Sequence, residues 1–387
     1  MAGPLSGVRI VDLTTVIAGP MATMILADQG ATVIKVEGKH GDYTRHLATR
    51  RGGFSASFLN NNRNKKSVVV DMKDPAGLEA VRELAAGADV FVQNFRPGVA
   101  ERIGLGARVL RESNPRLIYM SIAGFGFEGP LAGKPAYDPL IQAISSLATV
   151  QAGSDEARPR LVRTILPDKL TAVQASQAIT AALYARERTG EGQEIALTML
   201  DTIASFLWSS DMNGHTFVGD ELEKEESQSF IDLIYEVVDG FLSISVMQDK
   251  HWQGLAKATS RMDILDDPRF KDAELREINR DARVTLTQSM IAGFRRDHLI
   301  SRLEEHGVPC APVLTRKEMR DHPQIAANQT LIEYEHPLAG RLRQTRTPAV
   351  FKGTPVGEVT PAPSLGEHTD LILGRSSSTK WTGVFND

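Results

Sequence analysis

The 387-residue chain has a single cysteine, Cys310, and few aromatic residues, which make up 6% of its composition. One cysteine cannot form an internal disulfide, and no Cys/His cluster has the spacing of a zinc site. No apolar run approaches the roughly 20 residues that span a membrane. The first residues also lack the charged and apolar regions of a signal peptide. The sequence therefore predicts a globular, cytoplasmic protein with no metal site.

An excess of charge of one sign is also missing, because 44 basic and 48 acidic residues leave a formal net charge of −4. Nucleic-acid binding needs a concentrated basic face, so this balance argues against that class of protein. The glycine pair GLG at residues 104–106 lacks the third glycine of a dinucleotide site and does not lie directly between a predicted strand and a helix. It has no Walker A, GxSxG or HExxH motif. No tightly bound cofactor is expected.

The first half of the chain alternates between two hydrophobic periods. Apolar runs rich in β-branched residues recur, and helical patterns at 18–30 and 74–88 lie between several of them. This order predicts an α/β fold made of βαβ units, with a parallel, Rossmann-like sheet buried on both faces. The expected strands are 8–13, 31–37, 66–72, 89–95 and 116–122.

The composition changes after about residue 210, which predicts a second, smaller α+β domain over 210–329. The Pro- and Gly-rich segment from 330 is a poor independent core, so it is expected to return to the first domain. The large domain would then comprise 1–209 and 330–387. The remaining expected elements are helices at 138–149, 168–187, 195–209, 249–258 and 275–307, a strand at 239–246, and a charged connection at 220–229.

Polar residues follow several of the predicted strands, at the edge of a parallel sheet where ligands bind. Lys39 and Arg45 follow the second strand, and NFRPG at 94–98 follows the fourth. Backbone N–H groups and cations at such an edge suit an anionic, phosphorylated ligand. Each loop alone is better explained by ordinary turn chemistry, and only the loops taken together favour an anionic, nucleotide-like ligand.

Asp168 lies between Pro167 and a long helical pattern, and local physics favours its interpretation as the helix N-cap. The same position also suits a nucleophile, because a helix N-terminus favours an ionised carboxylate. An ionised aspartate can attack an activated acyl carbon without a general base. These two roles compete, since carboxylate oxygens that accept N–H bonds are poor attackers.

An ordered series of motifs resembles the class III CoA-transferase family, also called CaiB/BaiF, from Leu5 to about Leu373. The series is TTVIAGPMA, GATVIKVE with GDYTR, NRNKKSVVVDMK, VQNFRPG, YMSIAGFGFEGP, PAYDPLIQA, GVPCAPV, HPQIAA and PSLGEHTDLIL.

The resemblance implies an enzyme that moves coenzyme A from an acyl-CoA donor to a carboxylic acid, with Asp168 as the catalytic residue. Asp168 would form an aspartyl anhydride and then an aspartyl-CoA thioester. The family fold implies an intertwined, interlocked-ring homodimer. Residues that should line the active site or the CoA are Val16, Ala18, Lys39, Arg45, Lys73, Asn94, Phe95, Arg102 and Tyr137.

Two other activities remain open. The family includes α-methylacyl-CoA racemases, which use a histidine where this chain has Tyr137, and a tyrosine is a poor base at neutral pH. A non-catalytic acyl-CoA-binding relative would explain Ala172, which stands for a usual glycine, and KEESQSF at 224–230, which stands for a glycine-rich loop. Apolar Ile17, where formyl-CoA:oxalate enzymes have glutamine, argues against formate or oxalate and favours succinate, another larger dicarboxylate or a branched acid.

Overall fold

A computed structural model of the protein describes residues 3–219, 232–246 and 248–374. The chain divides into two compact units, Met1–Phe230 with Thr330–Asp387, and Ile231–Gln329. The first unit thus extends past residue 209, where the sequence predicts a boundary, and includes the 3₁₀ helix Asn213–Thr216. The expected connection at 220–229 and the segment at 224–230 lie outside the described residues.

The first half of the chain forms most of the strands of the first unit, which are β1 (Arg9–Asp12), β2 (Thr32–Glu37), β3 (Arg50–Arg51), β4 (Phe54–Ser55), β5 (Lys65–Val69), β6 (Val90–Gln93), β7 (Ile118–Ala123) and β8 (Glu194–Thr198). Six of them form a sheet in the order β5-β2-β1-β6-β7-β8, and every pairing in it is parallel. A short hairpin, β3–β4, stands apart from this sheet. A mixed α/β fold with a parallel sheet is therefore confirmed.

Helices cover both faces of this sheet, as the unbroken apolar strands require. Alternate residues of β1 show this, because Val11 and Ile10 belong to two separate core clusters, one on each face of the sheet. The helices of the unit are α1 (Ala18–Asp28), α2 (Ala56–Asn62), α3 (Pro75–Ala86), α4 (Val99–Arg102), α5 (Ala107–Ser113), α6 (Asp138–Ile144), α7 (Leu147–Val150), α8 (Leu166–Thr189), α9 (Met199–Trp208) and α16 (Thr369–Leu373).

The helix predicted over 195–209 is wrong in its first part, where the chain forms β8. Tyr119 to Ala123 of β7 pair in register with Glu194 to Thr198. The hydroxyl of Thr198 then accepts the N–H of Asp201 and caps α9. A ladder supplied by a distant strand outweighs the local helical pattern, because propensity is a weak influence beside tertiary pairing.

The segment after residue 330 packs on the first unit and begins with a hairpin that the sequence does not predict. This hairpin consists of β12 (Leu331–His336) and β13 (Gly340–Thr345). Further along, the N–H of Asn64 donates to Thr360 O at 3.0 Å, and Ile372 of α16 is fully buried in the core beside α3.

The second unit is an α+β unit with its own core around Trp252 and Leu255. Its sheet is antiparallel and has three strands, in the order β11 (Cys310–Pro312), β10 (Gly240–Ile244) and β9 (Ile234–Val237). No helix among the described residues has both the length and the apolar character needed to cross a membrane. The elements are β9 (Ile234–Val237), β10 (Gly240–Ile244), β11 (Cys310–Pro312), α10 (Asp249–Thr259), α11 (Ala273–Ile278), α12 (Arg280–Ile291), α13 (Arg296–Glu305), α14 (Arg316–Asp321) and α15 (Pro323–Ala327).

Candidate active site

A cavity of about 270 Å³ lies at the carboxyl edge of the six-stranded sheet, where the strand order reverses. The chain passes from β1 outward to β2 and β5, and then crosses to β6 on the other side of β1. Open parallel sheets bind ligands at such a reversal, because the loops from the two central strands diverge there. The lining residues are Thr15, Val16 and Ala18 after β1, Asn94–Pro97 after β6, Ile122–Gly124 at the end of β7, Ala132 with Lys134–Asp138, and Asp168 with Met199.

The loop after β7 closes on the following segment because Gly124 has no side chain. A Cβ atom at Gly124 would lie 1.9 Å from the Cβ of Ala136, so any larger residue would force the two segments apart. This contact brings Tyr137 and Asp138 to the cavity, opposite the loop that leaves β1.

Asp168 lines the cavity as the third residue of α8 and does not cap that helix. The helix begins at Leu166, and the cap position is Ile165, which makes no side-chain capping bond. Pro167 fits the first turn because its missing N–H would have no helical partner there. The interpretation of Asp168 as an N-cap is therefore wrong, and its carboxylate is available to the cavity.

Asp138 is a second carboxylate beside Asp168. It is only 4% exposed, and its Oδ2 accepts the backbone N–H of Asp168 at 3.3 Å. Its Oδ1 accepts the side-chain amide of Gln142 at 2.6 Å. The two aspartates thus form an acidic pair at the base of the cavity, fixed by the first turns of α6 and α8.

The electrostatics of this pair favour protonation. Burial, and then the negative charge of Asp138, raise the pKa of Asp168 to about 6, although the backbone N–H of Ala18 partly offsets the rise. Burial also raises the pKa of Asp138, against its hydrogen bond from Gln142. No cation among the described residues contributes to the pKa of Asp168. A carboxylate with a raised pKa in a cavity is a functional candidate, because the protein does not use it to stabilise the fold.

The structure brings five of the other nine expected site residues to the cavity: Val16, Ala18, Asn94, Phe95 and Tyr137. The side-chain amide of Asn94 is used within the protein, since it exchanges hydrogen bonds of 3.0 and 2.9 Å with the backbone of Thr15.

The other four expected residues do not line the cavity. Lys39, Lys73 and Arg102 are exposed and follow β2, β5 and β6, so they belong to loops at the same edge of the sheet. Arg45 is buried, forms a bidentate pair with Glu37, and donates to Pro363 O at 3.1 Å. These internal partners account for Arg45 without a ligand.

Sequence reasoning missed three charged residues of the cavity, namely Asp138, Lys134 and Arg96. Asp138 stands inside the motif PAYDPLIQA and Arg96 inside NFRPG, and Lys134 directly precedes the first of these motifs. Ile17 differs, since its buried side chain does not line the cavity, and it gives no geometric reason to exclude formate or oxalate.

Within the part of the chain that the structure describes, no cluster of His, Cys, Asp and Glu could hold a metal ion. The chemical groups of the cavity are instead a carboxylate pair, two exposed cations and the backbone N–H of Ala18. This set can supply a nucleophile or an acid, and it can attract an anionic ligand.

Comparisons with known proteins agree with this chemistry. The model of CoA-transferase family III matches residues 5–369. The chain belongs to CoA-transferase family III. Its relatives in that family include succinyl-CoA:glutarate CoA-transferase of Homo sapiens, at 32% identity over 96% of this chain and 85% of that protein. Acetyl-CoA:oxalate CoA-transferase of Acetobacter aceti is 35% identical over 86% of each chain.

A solved structure of a CAIB/BAIF family protein from Brucella suis has the same fold. It superposes with a TM-score of 0.85 at 30% identity, over 97% of this chain and 99% of that one. This protein is therefore a CoA-transferase of family III.

Proposed function

We propose that Asp168 is the nucleophile of CoA transfer and carries the group covalently. The observation that supports this role is the placement of its carboxylate in the cavity at the reversal of the strand order, without a neutralising cation among the described residues. With a pKa of about 6, the carboxylate is mostly ionised at neutral pH. It then needs no general base before it attacks.

The proposed exchange balances in two halves. An Asp168 oxygen attacks the thioester carbon of the donor, the C–S bond breaks, and CoA thiolate leaves an aspartyl anhydride. The thiolate attacks the Asp168 Cγ, which expels the donor acid and leaves an aspartyl-CoA thioester. The acceptor carboxylate attacks that Cγ, releases the thiolate and forms a new anhydride. Attack of the thiolate on the acceptor acyl carbon regenerates Asp168 and forms the new acyl-CoA.

We propose a dicarboxylic acid as acceptor, with a branched acid as the alternative. Lys134 and Arg96 both line the cavity that contains Asp168 and are exposed to solvent. A dicarboxylate can present one carboxylate to the reaction while its other carboxylate pairs with these cations. The similarity to enzymes that are named for glutarate and for oxalate supports this substrate class.

We propose that the CoA phosphates lie along the carboxyl edge of a Rossmann-like first unit. Lys39, Lys73 and Arg102 are exposed there, in loops after three strands. Arg102 is the preferred phosphate partner because its guanidinium can bind two phosphate oxygens at once. The cavity itself, at about 270 Å³, is large enough for the acyl end of the substrate rather than for whole CoA.

We also propose a homodimer. Large apolar side chains are exposed on α8 and α9 of the first unit, among them Tyr184, Phe206 and Trp208. Aromatic residues of this kind are enriched in protein interfaces. Light scattering behind size exclusion at micromolar concentration tests this assignment, because a monomer mass would contradict it.

Trapping of the covalent intermediate tests the proposed function. The wild-type protein and Asp168→Asn are incubated with succinyl-CoA, quenched with hydroxylamine or borohydride, and digested for mass spectrometry. Modification of Asp168 in the wild type and none in the variant supports the mechanism. CoA binding without adduct or turnover would favour a non-catalytic relative. Deuterium uptake at the α-carbon of a 2-methylacyl-CoA, without transfer, would favour a racemase.

A further inference from the structure

The loop between β1 and α1 contains a strained residue at the cavity wall. Val16 has φ of +74°, in the left-handed region that a β-branched residue rarely adopts. This conformation is strained and persists only where surrounding contacts enforce it. Two residues further on, the N–H of Ala18 faces the Asp168 carboxylate. The conformation of Val16 therefore affects the direction of an amide that contacts the proposed nucleophile.

Polar side chains in or after the two strands that flank β1 hold this loop. The Oδ1 of Asp42 accepts the Val16 N–H at 3.2 Å. The ammonium of Lys35, on β2, donates to Thr14 O at 2.8 Å. The side-chain amide of Asn94, after β6, accepts the N–H of the intervening Thr15 and donates to the Thr15 carbonyl oxygen. Three consecutive residues of the loop are thus fixed by side chains from outside it.

Asp42 and Lys35 are themselves an ion pair in the interior. Their Oδ2 and Nζ atoms lie 3.0 Å apart, and both side chains are fully buried. The hydroxyl and N–H of Thr44 each donate to the other oxygen of Asp42, at 2.8 Å. Neither member of the pair lines the cavity, so substrate contact does not explain it. Stability does not explain it either, because apolar residues of similar volume often replace a buried ion pair without loss.

We infer that Asp42 and Lys35 are positioning residues for acyl transfer, which hold Val16 in the left-handed conformation so that the Ala18 amide points at the Asp168 carboxylate. This inference rests on the proposed role of Asp168. An amide fixed in this direction keeps the nucleophile in one orientation before the donor arrives. A misplacement of about 1 Å in a reacting group can cost about 100-fold in rate. The strain at Val16 and the buried charges therefore serve catalysis, because they fix the position of the nucleophile.

The test replaces the whole ion pair and measures chemistry apart from stability. Lys35→Met with Asp42→Asn removes both charges, keeps an oxygen that can accept the Val16 N–H, and avoids a lone buried ion. The matched control is Arg63→Met with Asp28→Asn, because Arg63 and Asp28 form another buried pair, with Nη2 and Oδ2 2.6 Å apart, that does not line this cavity. Both proteins are compared with the wild type by melting temperature and by the rate of Asp168 adduct formation in a single turnover.

We expect the Lys35/Asp42 variant to form the adduct about 10- to 100-fold more slowly, with the KM for acyl-CoA changed less than about twofold. The control should match the wild-type rate at a similar melting temperature. Wild-type rates in both variants, or equal slowing in both, would overturn the positioning role. The absence of an adduct in the wild type would instead refute the proposed function.

If the Lys35/Asp42 variant does not fold, hydrogen exchange of the wild-type protein decides. The peptide that spans residues 14–18 must exchange slowly, at a rate comparable to that of the core strand β1, if the side chains hold the loop in one conformation. Exchange at the rate of an open loop would overturn the inference.

Discussion

The first unit contains two groups of largely buried carboxylates that lie in opposite electrostatic environments. Asp12 and Asp42 lie beneath the loop after β1, where each is within 3.0 Å of a lysine ammonium. Asp138 and Asp168 lie at the cavity, where they are neighbours. No ion pair with a cation is formed by either of them among the described residues, and the charge of Lys169 only partly offsets the raised pKa of Asp138. Both groups are inaccessible to bulk water to a large extent, so burial alone does not distinguish them.

The difference appears in the direction of the pKa shifts. Burial would raise the pKa of Asp12, but Lys65 and Lys35 reverse this effect and hold it far below its usual value. At the cavity, burial and a like charge act together and raise the pKa of Asp168 to about 6. The lysines beside Asp12 stabilise its ionised form in the folded protein. No cation does this for Asp168, and a carboxylate with a raised pKa in a cavity is typical of a functional site.

The substitution Asp168→Asn should have the largest effect, because it should abolish most of the activity while it raises the stability of the fold. We expect transfer to fall by about 1000-fold or more, since an amide cannot attack as a carboxylate does. Because the folded state binds the Asp168 proton more tightly than the unfolded state, ionised Asp168 destabilises the fold at pH 7. The variant should therefore gain on the order of 2 kcal/mol in free energy of unfolding at pH 7.

This gain should shrink as the pH falls from about 6 to about 4, the window between the folded and unfolded pKa values of Asp168. Urea titrations of both proteins at pH 7.5, 6 and 4 measure it. A loss of stability at pH 7.5 would contradict this account of the acidic pair.

Lys65→Met tests the neutralised group and should have the opposite effect on stability. Lys65 Nζ donates to Asp12 Oδ2 at 3.0 Å, to Pro20 O at 2.8 Å and to Asn62 Oδ1 at 2.9 Å. Its removal leaves Asp12 buried with one cation fewer, which should cost about 3–5 kcal/mol in free energy of unfolding.

The control is Arg261→Met, which removes an exposed pair with Asp263 and should lower the free energy of unfolding far less than Lys65→Met does. Urea unfolding at pH 7 compares the two variants. Equal, small losses would mean that water reaches the Asp12 cluster.

The sequence predicts the sheet better than it predicts these electrostatics. Strands such as 31–37 and 89–95 can be predicted from their apolar runs, because a strand that is buried on both faces of a sheet is apolar along most of its length. The hairpin from Leu331 to Thr345 and the strand β8 were not predicted, because their stability comes from pairing with residues that the local pattern does not contain.

The cavity shows the same limit. The motifs identify Asp168 and the loops that face it. The role of Asp138 is visible only in the structure, where its helix places the carboxylate within hydrogen-bonding distance of the Asp168 N–H. In the sequence, nothing distinguishes Lys35 and Lys65 from other strand residues. Only the packing of the sheet shows that both are buried beside aspartates. Proximity across many residues is set by tertiary structure, which spacing along one chain does not encode.

The pH dependence of transfer sharpens the comparison at the acidic pair. The wild-type rate should fall below about pH 6, where Asp168 becomes protonated. Asp138→Asn removes the neighbouring negative charge, so the pKa of Asp168 should decrease and this acidic limb should move to lower pH. Glu128→Gln is the control, because Glu128 is exposed and does not line the cavity. Plots of kcat against pH for the three proteins measure the shift. An unmoved limb in Asp138→Asn would mean that burial alone raises the pKa.

The exposed cations of the cavity should give the smallest effect, since solvent screens them as it does not screen Lys35 or Lys65. We expect Lys134→Ala or Arg96→Ala to raise the KM of a dicarboxylate acceptor about fivefold, with little change for a monocarboxylate of similar length. Raising the salt concentration should reduce the difference between variant and wild type, because screening already weakens the contact. Lys352→Ala is the matched surface control, being exposed and outside the cavity. Equal effects on the two acids would show that these cations attract the acyl-CoA rather than the second carboxylate of the acceptor.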